Sequence, residues 1–150
     1  MSLHVSPMRR GEEGAVLALM RGLAAFEHYL DDFAVTAADL ERFGHGKARR
    51  FTAHVARLDS VPVGVAVTHR IDWTFDLRPV RVLKEMFVAP EARGSGAGAA
   101  LFAAVRAEAV GEGAGRVRWL VLADNDPAKA FYASQGGRHL AQWETWELAL

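Results

Sequence analysis

The stretch that decides the fold is Val80-Arg-Val-Leu-Lys-Glu-Met-Phe-Val88, followed after four residues by Arg93-Gly94-Ser95-Gly96-Ala97-Gly98. The first segment is rich in strand-forming residues, and an alanine-rich helical pattern covers residues 97–110. A glycine-dense turn between a strand and a helix offers backbone N–H groups and a helix N-terminus to a phosphate. The stretch therefore predicts a strand, a phosphate-binding turn and a helix, and with them a phosphorylated cofactor.

Composition limits the classes of protein that this chain can belong to. Its 150 residues are 51% hydrophobic, with a mean hydropathy of +0.03, which is enough for one core and predicts a single domain over residues 1–150. Eighteen basic and eighteen acidic residues give a net charge of zero, so we expect neither a nucleic acid nor a membrane as partner. The absence of cysteine excludes disulfides and a cysteine nucleophile, and with no signal peptide near Met1 we expect a cytoplasmic protein.

Upstream of the deciding stretch, the sequence predicts a strand over residues 3–8 and a helix over residues 12–29, whose apolar stripe should face a sheet. Thr36 and Asp39 have the spacing of a capping box, which predicts a second short helix up to Phe43. Two further β-rich runs are separated by the polar pair Asp59-Ser60, which is typical of an antiparallel hairpin. These runs, residues 51–58 and 61–70, form a meander with residues 80–88.

Downstream, residues 116–122 alternate like a strand, and a strand that follows a helix in this way predicts parallel pairing. Asn125-Asp126-Pro127 predicts the start of another helix, which Gly136-Gly137 ends. Residues 138–140 and 143–149 are interpreted as a closing hairpin. The whole pattern predicts an α/β fold with a mixed, mostly antiparallel sheet flanked by helices.

Two segments together resemble the GNAT superfamily of N-acetyltransferases. The residues from Met86 to Gly98 are similar to its acetyl-coenzyme A motif, Arg/Gln-x-x-Gly-x-Gly/Ala, with the expected strand before it and helix after it. Asn125, Ala128, Phe131-Tyr132 and Gly136 resemble the family's second cofactor segment. The run Leu23-Ala-Ala-Phe-Glu27 is similar to the first helix of the diamine and thialysine acetyltransferase branch.

One position departs from that branch. The segment Leu83-Lys-Glu-Met-Phe-Val88 matches the branch pattern Leu-Glu-Asp-Leu-Tyr/Phe-Val, except that Lys84 replaces the first acid. The departure leaves open whether a polyamine is the substrate.

The resemblance implies acetyl-coenzyme A as cosubstrate and assigns residues to it. Gly94, Gly96 and Gly98 allow the backbone to approach a pyrophosphate, and Arg93 adds a positive charge. The expected cofactor-binding set is Met86, Phe87, Val88, Arg93, Gly94, Ser95, Gly96, Ala97, Gly98 and Asn125, although Asn125 could instead only cap its helix. A turn that serves strand–helix packing alone is one alternative. A dinucleotide fingerprint, Gly94-x-Gly96-x-x-Ala99, is another, but the next strand-end acid, Asp124, lies 30 residues on rather than about 20.

Acetyl transfer to an amine needs a base and an acid. A lysine-like ammonium has a pKa of about 10.4, so it must lose a proton before it attacks. Glu85 is the candidate base, and its alternative is an ion pair with Arg81. Tyr132 matches the family's usual acid for the departing thiolate, and its alternative is packing beside Phe131.

The substrate contacts are expected at the acidic end of the first helix, at Glu27, His28 and Asp31, unless that end is merely solvated. The six histidines show no metal-ligand spacing, so no metal is expected. The apolar final strand could pair two subunits in a homodimer or cover a strand within one subunit.

The prediction is therefore an acetyl-coenzyme A-dependent N-acetyltransferase for a primary amine of a small molecule, either a polyamine or an amino-acid-like compound. The amine would attack the thioester directly in a ternary complex. The alternatives are a catalytically silent acyl-coenzyme A-binding module and an enzyme that acetylates a peptide or protein amine. Among small acceptors, an aminoglycoside also stays open.

Overall fold

Five strands and three of the four helices lie in residues 1–120, and the last helix belongs to a separate unit. The computed structural model describes all 150 residues, divided into the units Met1–Leu120 and Val121–Leu150. In chain order, the first unit contains β1 (Leu3–Pro7), α1 (Glu13–Phe26), α2 (Ala37–Phe43), β2 (Thr52–Leu58), β3 (Val61–Asp72), β4 (Pro79–Val88), α3 (Ala97–Gly111) and β5 (Arg116–Trp119). The second unit contains α4 (Asp126–Ser134). None of the helices combines the length and apolar character needed to cross a membrane.

The sheet has the strand order β1-β2-β3-β4-β5. Its first four strands pair antiparallel, and β5 pairs parallel to β4 after the α3 crossover. Parallel pairing requires such a crossover, because a tight turn can only reverse the chain. The predicted α/β class, with a mixed and mostly antiparallel sheet flanked by helices, is confirmed.

Strand alternation gives the sheet two different faces. Val55, Val65 and Val67 point to the face that α1 covers, where they form the apolar core with Val16 and Met20 of that helix. The residues between them in the strands point to the opposite face, which α3 covers. This face contains polar side chains, and Thr68 Oγ1 donates a hydrogen bond to Glu108 Oε1 of α3 over 2.7 Å. The two faces therefore differ in chemistry, and the side on which a residue lies decides its role.

Local capping signals placed the ends of α2 and the start of α4 correctly, whereas the first helix, predicted over residues 12–29, ends at Phe26. Thr36 accepts from the Asp39 N–H over 3.2 Å while the Asp39 side chain accepts from the Thr36 N–H over 2.9 Å, which confirms the predicted capping box. The end of α1 is a paired turn in which the Tyr29 N–H donates to Ala24 O and the His28 N–H to Ala25 O. His28 takes the left-handed conformation there, with φ of 67°, a position that glycine usually fills.

The predicted closing hairpin is wrong. Residues 138–150 contain no strand, and Trp143, Trp146 and Leu148 are exposed. Alternation within a segment supplies two faces but no partner, and a two-stranded hairpin is marginal in water unless it joins a larger sheet. The strand predicted over residues 116–122 is also shorter, since β5 ends at Trp119 and Leu120 is exposed.

Candidate active site

The candidate site lies where β4 loses its partner β5. The two strands pair over only four positions, from Val80 opposite Arg116 to Leu83 opposite Trp119. On the other side of β4, the pairing with β3 shifts register at the same point, because Val67 lies opposite Glu85 while Thr68 lies opposite Leu83. Lys84 is the extra residue of a β-bulge, which increases strand twist and disrupts the ladder locally. The end of the β4–β5 pairing thus coincides with the bulge.

The bulge also reverses which way the later side chains of β4 point. Before it, Arg81 faces α3, where its guanidinium binds the Glu112 carboxylate through Nε and Nη2. Beyond it, Phe87 faces α1, since a Cβ atom on Gly22 would lie 2.8 Å from the Phe87 ring. One extra residue changes the side of every residue that follows. Glu85 therefore shares the face of Phe87, and the suggested ion pair between Glu85 and Arg81 does not form.

Glu85 is half-buried, and one of its carboxylate oxygens makes no hydrogen bond. Its Oε2 atom is buried and has no hydrogen-bond partner. Burial raises the pKa of the Glu85 carboxyl, the Lys84 ammonium opposes this, and the negative charge of Glu27 adds to it. A buried polar atom without a partner is uncommon in folded proteins and calls for an explanation such as catalysis.

Two residues from the end of α1 join Glu85. Burial raises the pKa of Glu27 as well, again opposed by the charge of Lys84. Burial and the charges of Glu85 and Glu27 raise the pKa of Tyr29 to about 12, so its hydroxyl stays protonated at neutral pH. We call Glu27, Tyr29 and Glu85 the acidic cluster. Its two carboxyl groups favour a cation between them, because each disfavours the charge of the other.

The three predicted substrate residues do not all join this cluster. Glu27 interacts with Glu85, whereas His28 and Asp31 are exposed. The role of His28 is in the main chain, because its left-handed backbone conformation forms the turn that follows α1 and leads to Tyr29. Tyr29 was missed by sequence reasoning, because the first helix was predicted to continue to residue 29, whereas α1 ends at Phe26 and the chain turns there.

The edge of β4 beyond the bulge presents main-chain groups without a strand partner. The Ala89 N–H donates to Val63 O of β3 over 2.8 Å, so alternation directs the main-chain groups of Met86 and Val88 away from β3. No part of β5 pairs with them. The Val88 carbonyl accepts from Arg93 Nε over 3.3 Å, which connects this edge to the glycine turn.

The glycine turn before α3 fits a phosphate group. Gly94 and Gly96 have φ of 79° and 88°, and Gly96 is the N-cap of α3 without a side-chain cap or an acid in the first turn. Two N–H groups of this region already have acceptors: Ala97 N–H donates to Ser95 Oγ over 3.3 Å, and Ala100 N–H donates to Gly96 O. Four others have no acceptor within the protein, namely those of Gly94, Gly96, Gly98 and Ala99. Free N–H donors and the positive end of the helix dipole together favour an anion.

The remaining predicted residues lie in the second unit. Asn125 caps α4, because its Oδ1 accepts from the Ala128 N–H over 3.2 Å. Its capping role is therefore present, and its amide nitrogen stays available for a cofactor. Tyr132 lies on α4 with its ring edge-on to Phe131, at a centroid distance of 5.3 Å.

Residues 17–136 match the acetyltransferase (GNAT) family. The chain belongs to this family. Among curated proteins, this acetyltransferase is similar to the thialysine N-epsilon-acetyltransferase of Sus scrofa, with 28% identity over 97% of this chain and 89% of that protein. It is also similar to the spermidine/spermine N(1)-acetyltransferase-like protein 1 of Homo sapiens, with 28% identity over 98% of this chain but 22% of that protein.

Solved structures agree on the fold of this acetyltransferase. An aminoglycoside acetyltransferase from an uncultured soil metagenomic sample, in complex with sisomicin, superposes with a TM-score of 0.81 at 17% identity, over 99% of this chain and 96% of that one. Family membership confirms the expected enzyme class, an N-acetyltransferase that uses acetyl-coenzyme A. The likeness to the thialysine enzymes also agrees with the resemblance to the diamine and thialysine branch.

Proposed function

We propose that residues 1–150 act as one domain that transfers acetyl from acetyl-coenzyme A to a primary amine of a small molecule. The observation that carries the proposal is the buried, unpartnered Oε2 of Glu85 at the point where β4 separates from β5. The names of similar proteins support a small amine as acceptor, since thialysine is one. The neutral amine attacks the thioester carbonyl carbon directly in a ternary complex, and the chain has no cysteine to form an acetyl-cysteine intermediate.

Glu85 is the proposed general base. An ammonium with a pKa of about 10.4 cannot give its proton to an ordinary carboxylate near 4.5 without a large energetic cost. Burial reduces that cost from both sides, because it raises the pKa of the carboxyl and lowers the pKa of an amine beside it. Burial raises the pKa of Glu85, and the neighbouring Glu27 is proposed to bind the ammonium group of the acceptor.

Acetyl-coenzyme A brings the activated acetyl group, and three parts of the chain are proposed to hold it. The free N–H groups at Gly94, Gly96, Gly98 and Ala99 bind the pyrophosphate. The open main-chain groups of Met86 and Val88 bind amides of the pantetheine arm, and one N–H donates to the carbonyl oxygen as negative charge develops there. The positively charged Arg93 side chain, whose Nε now donates to Val88 O, is proposed to bind the phosphate groups as well.

Tyr132 is the proposed acid, from its place in the family's second cofactor segment. As the carbon–nitrogen bond forms and the carbon–sulfur bond breaks, the Tyr132 hydroxyl gives its proton to the departing sulfur. Before the attack, the ammonium gives one proton to Glu85, directly or through water. After the carbon–nitrogen bond forms, the nitrogen gives a second proton to the Tyr132 phenolate, and Glu85 releases its proton to solvent, so both side chains return to their starting states.

The test is thiol release from acetyl-coenzyme A, followed with a chromogenic thiol reagent across diamines, lysine analogues, aminoglycosides and short peptides. With an accepted amine, Glu85→Gln should lower kcat/KM by about 100-fold or more, the usual contribution of a general base. The parent enzyme should lose activity as pH falls through the raised pKa of Glu85, and the variant should lack this limb. Tyr132→Phe should lower kcat while cofactor binding persists.

A matched control is Glu41→Gln, which removes an exposed carboxyl on α2 and should leave the rate unchanged. Full activity of Glu85→Gln with an unaltered pH profile would reject Glu85 as the base. Thiol release that occurred with peptides but with none of the small amines would reject a small molecule as the acceptor. If no amine caused thiol release although the cofactor was bound, the transferase would be rejected and the acyl-coenzyme A-binding module would be favoured.

A further inference from the structure

Lys84 is a charged residue at the candidate site that the transfer chemistry leaves unused. It is one of only three lysines, with Lys47 and Lys129. Its side chain is exposed, and it takes part in no ion pair, although two carboxyl groups are near enough for its charge to act on them. An ammonium that is close to acids but not bound by them is available to a ligand.

The bulge explains why Lys84 reaches the acceptor side of the sheet. In a regular strand, Lys84 and Glu85 would point to opposite faces. Counting from Arg81, which binds Glu112 on the α3 face, alternation directs Lys84 to the α1 face. The register shift then returns Glu85 to that same face. Lys84 and the acidic cluster are therefore presented side by side, with opposite charges.

This charge pattern matches an acceptor that carries both signs. The acidic cluster attracts an amine, whereas a second amine of a polyamine would be repelled if it met Lys84. A carboxylate on the same acceptor would instead form a charge-assisted hydrogen bond to the Lys84 ammonium. We propose that Lys84 binds the carboxylate of an amino-acid-like amine and so selects it over a diamine. The inference rests on the proposed function of the same site.

A purely structural role for Lys84 gives a different expectation. If Lys84 only balanced the charge of Glu27 and Glu85, its replacement would change the acidic cluster and affect every amine alike. If it binds the acceptor carboxylate, its replacement weakens the binding only of acceptors that have a carboxylate. Lysine and 1,5-diaminopentane separate the two roles, because they differ only in the carboxylate.

The experiment measures kcat and KM for both amines with the parent enzyme and with Lys84→Gln, Lys84→Glu and Lys84→Arg. The parent enzyme should prefer lysine by about tenfold in kcat/KM, which equals about 1.4 kcal/mol, the low end for a hydrogen bond to a charged group. Lys84→Gln should raise the KM for lysine by about tenfold with little change in kcat, and it should not raise the KM for diaminopentane, because the repulsion of the second ammonium is removed. Lys84→Glu should reverse the preference, and Lys84→Arg should retain it.

Lys47→Gln is the matched control, since it removes an exposed lysine from the loop after α2 and should alter neither amine. Equal use of both amines by the parent enzyme, or an equal loss for both in Lys84→Gln, would overturn the inference while leaving the proposed transferase intact. Absence of turnover with every amine of the wider panel would overturn both.

Discussion

The sharpest stability prediction concerns Glu108, a carboxylate on α3 that is enclosed against the sheet. Its Oε1 atom accepts from His54 Nε2 over 3.0 Å and from Thr68 Oγ1 over 2.7 Å. Burial acts to raise the pKa of Glu108, but the hydrogen bonds from His54, Thr68 and Thr52 outweigh it and lower the pKa to about 2. The folded protein therefore holds this group ionised far more strongly than the unfolded chain does.

The magnitude follows from linkage between ionisation and folding. One pKa unit corresponds to about 1.4 kcal/mol, so a drop from 4.5 to about 2 contributes about 3 kcal/mol to the free energy of unfolding at pH 7. Because the folded pKa is the lower one, this contribution is complete above the unfolded pKa and disappears as pH falls through the folded pKa. At pH 3, about 1 kcal/mol should remain.

Glu108→Gln keeps the shape of the side chain and removes its charge. Urea unfolding at pH 7 should find the variant less stable than the parent by about 2 to 3 kcal/mol, and this difference should shrink to about 1 kcal/mol at pH 3. Glu91→Gln, which alters an exposed carboxyl, is the control and should change neither value. A difference between parent and variant that stays constant from pH 7 to pH 3 would refute the linkage argument, whatever its size.

Two further predictions follow from the packing of α1. Arg57 is almost fully buried and binds both carboxylate oxygens of Glu12 over 2.7 and 2.6 Å, so Glu12→Ala should lower the free energy of unfolding by about 3 to 5 kcal/mol. Urea unfolding tests this, and a loss below about 1 kcal/mol would contradict it. Gly22→Ala should destabilise the fold by about 1 to 3 kcal/mol through its clash with Phe87, whereas Gly14→Ala on the same helix, with open space around it, should stabilise it by about 0.5 kcal/mol. Thermal unfolding of both variants checks the opposite signs.

Sequence patterns predicted most of the fold because their causes are local. A helix cap depends on residues three positions apart, so the capping box at Thr36 and the cap at Asn125 could be recognised without knowing the rest of the chain. The failed hairpin over residues 138–149 shows the limit of the same reasoning. Alternation is local, but a strand also needs a partner, which a short segment does not encode.

The candidate site was predicted less completely, because it depends on contacts between distant segments. Motif resemblance indicated Glu85 and the glycine turn, and helix position indicated Glu27. Nothing local predicts that Tyr29, beyond the end of α1, comes close enough to Glu85 to have its pKa raised. The bulge at Lys84 was equally hidden, since residues 80–88 read as one continuous strand-forming run.

The bulge at Lys84 connects two features that otherwise look independent. Its disruption of the ladder coincides with the last pair between β4 and β5, after which Met86 and Val88 have open main-chain groups. Its extra residue also reverses the alternation, so that Glu85 faces α1 and its cluster instead of the α3 face, where Glu108 and Glu112 already lie. A single inserted residue thus separates Glu85, the proposed general base, from the structural carboxylates Glu108 and Glu112, and it places Glu85 beside the strand edge proposed to hold the thioester.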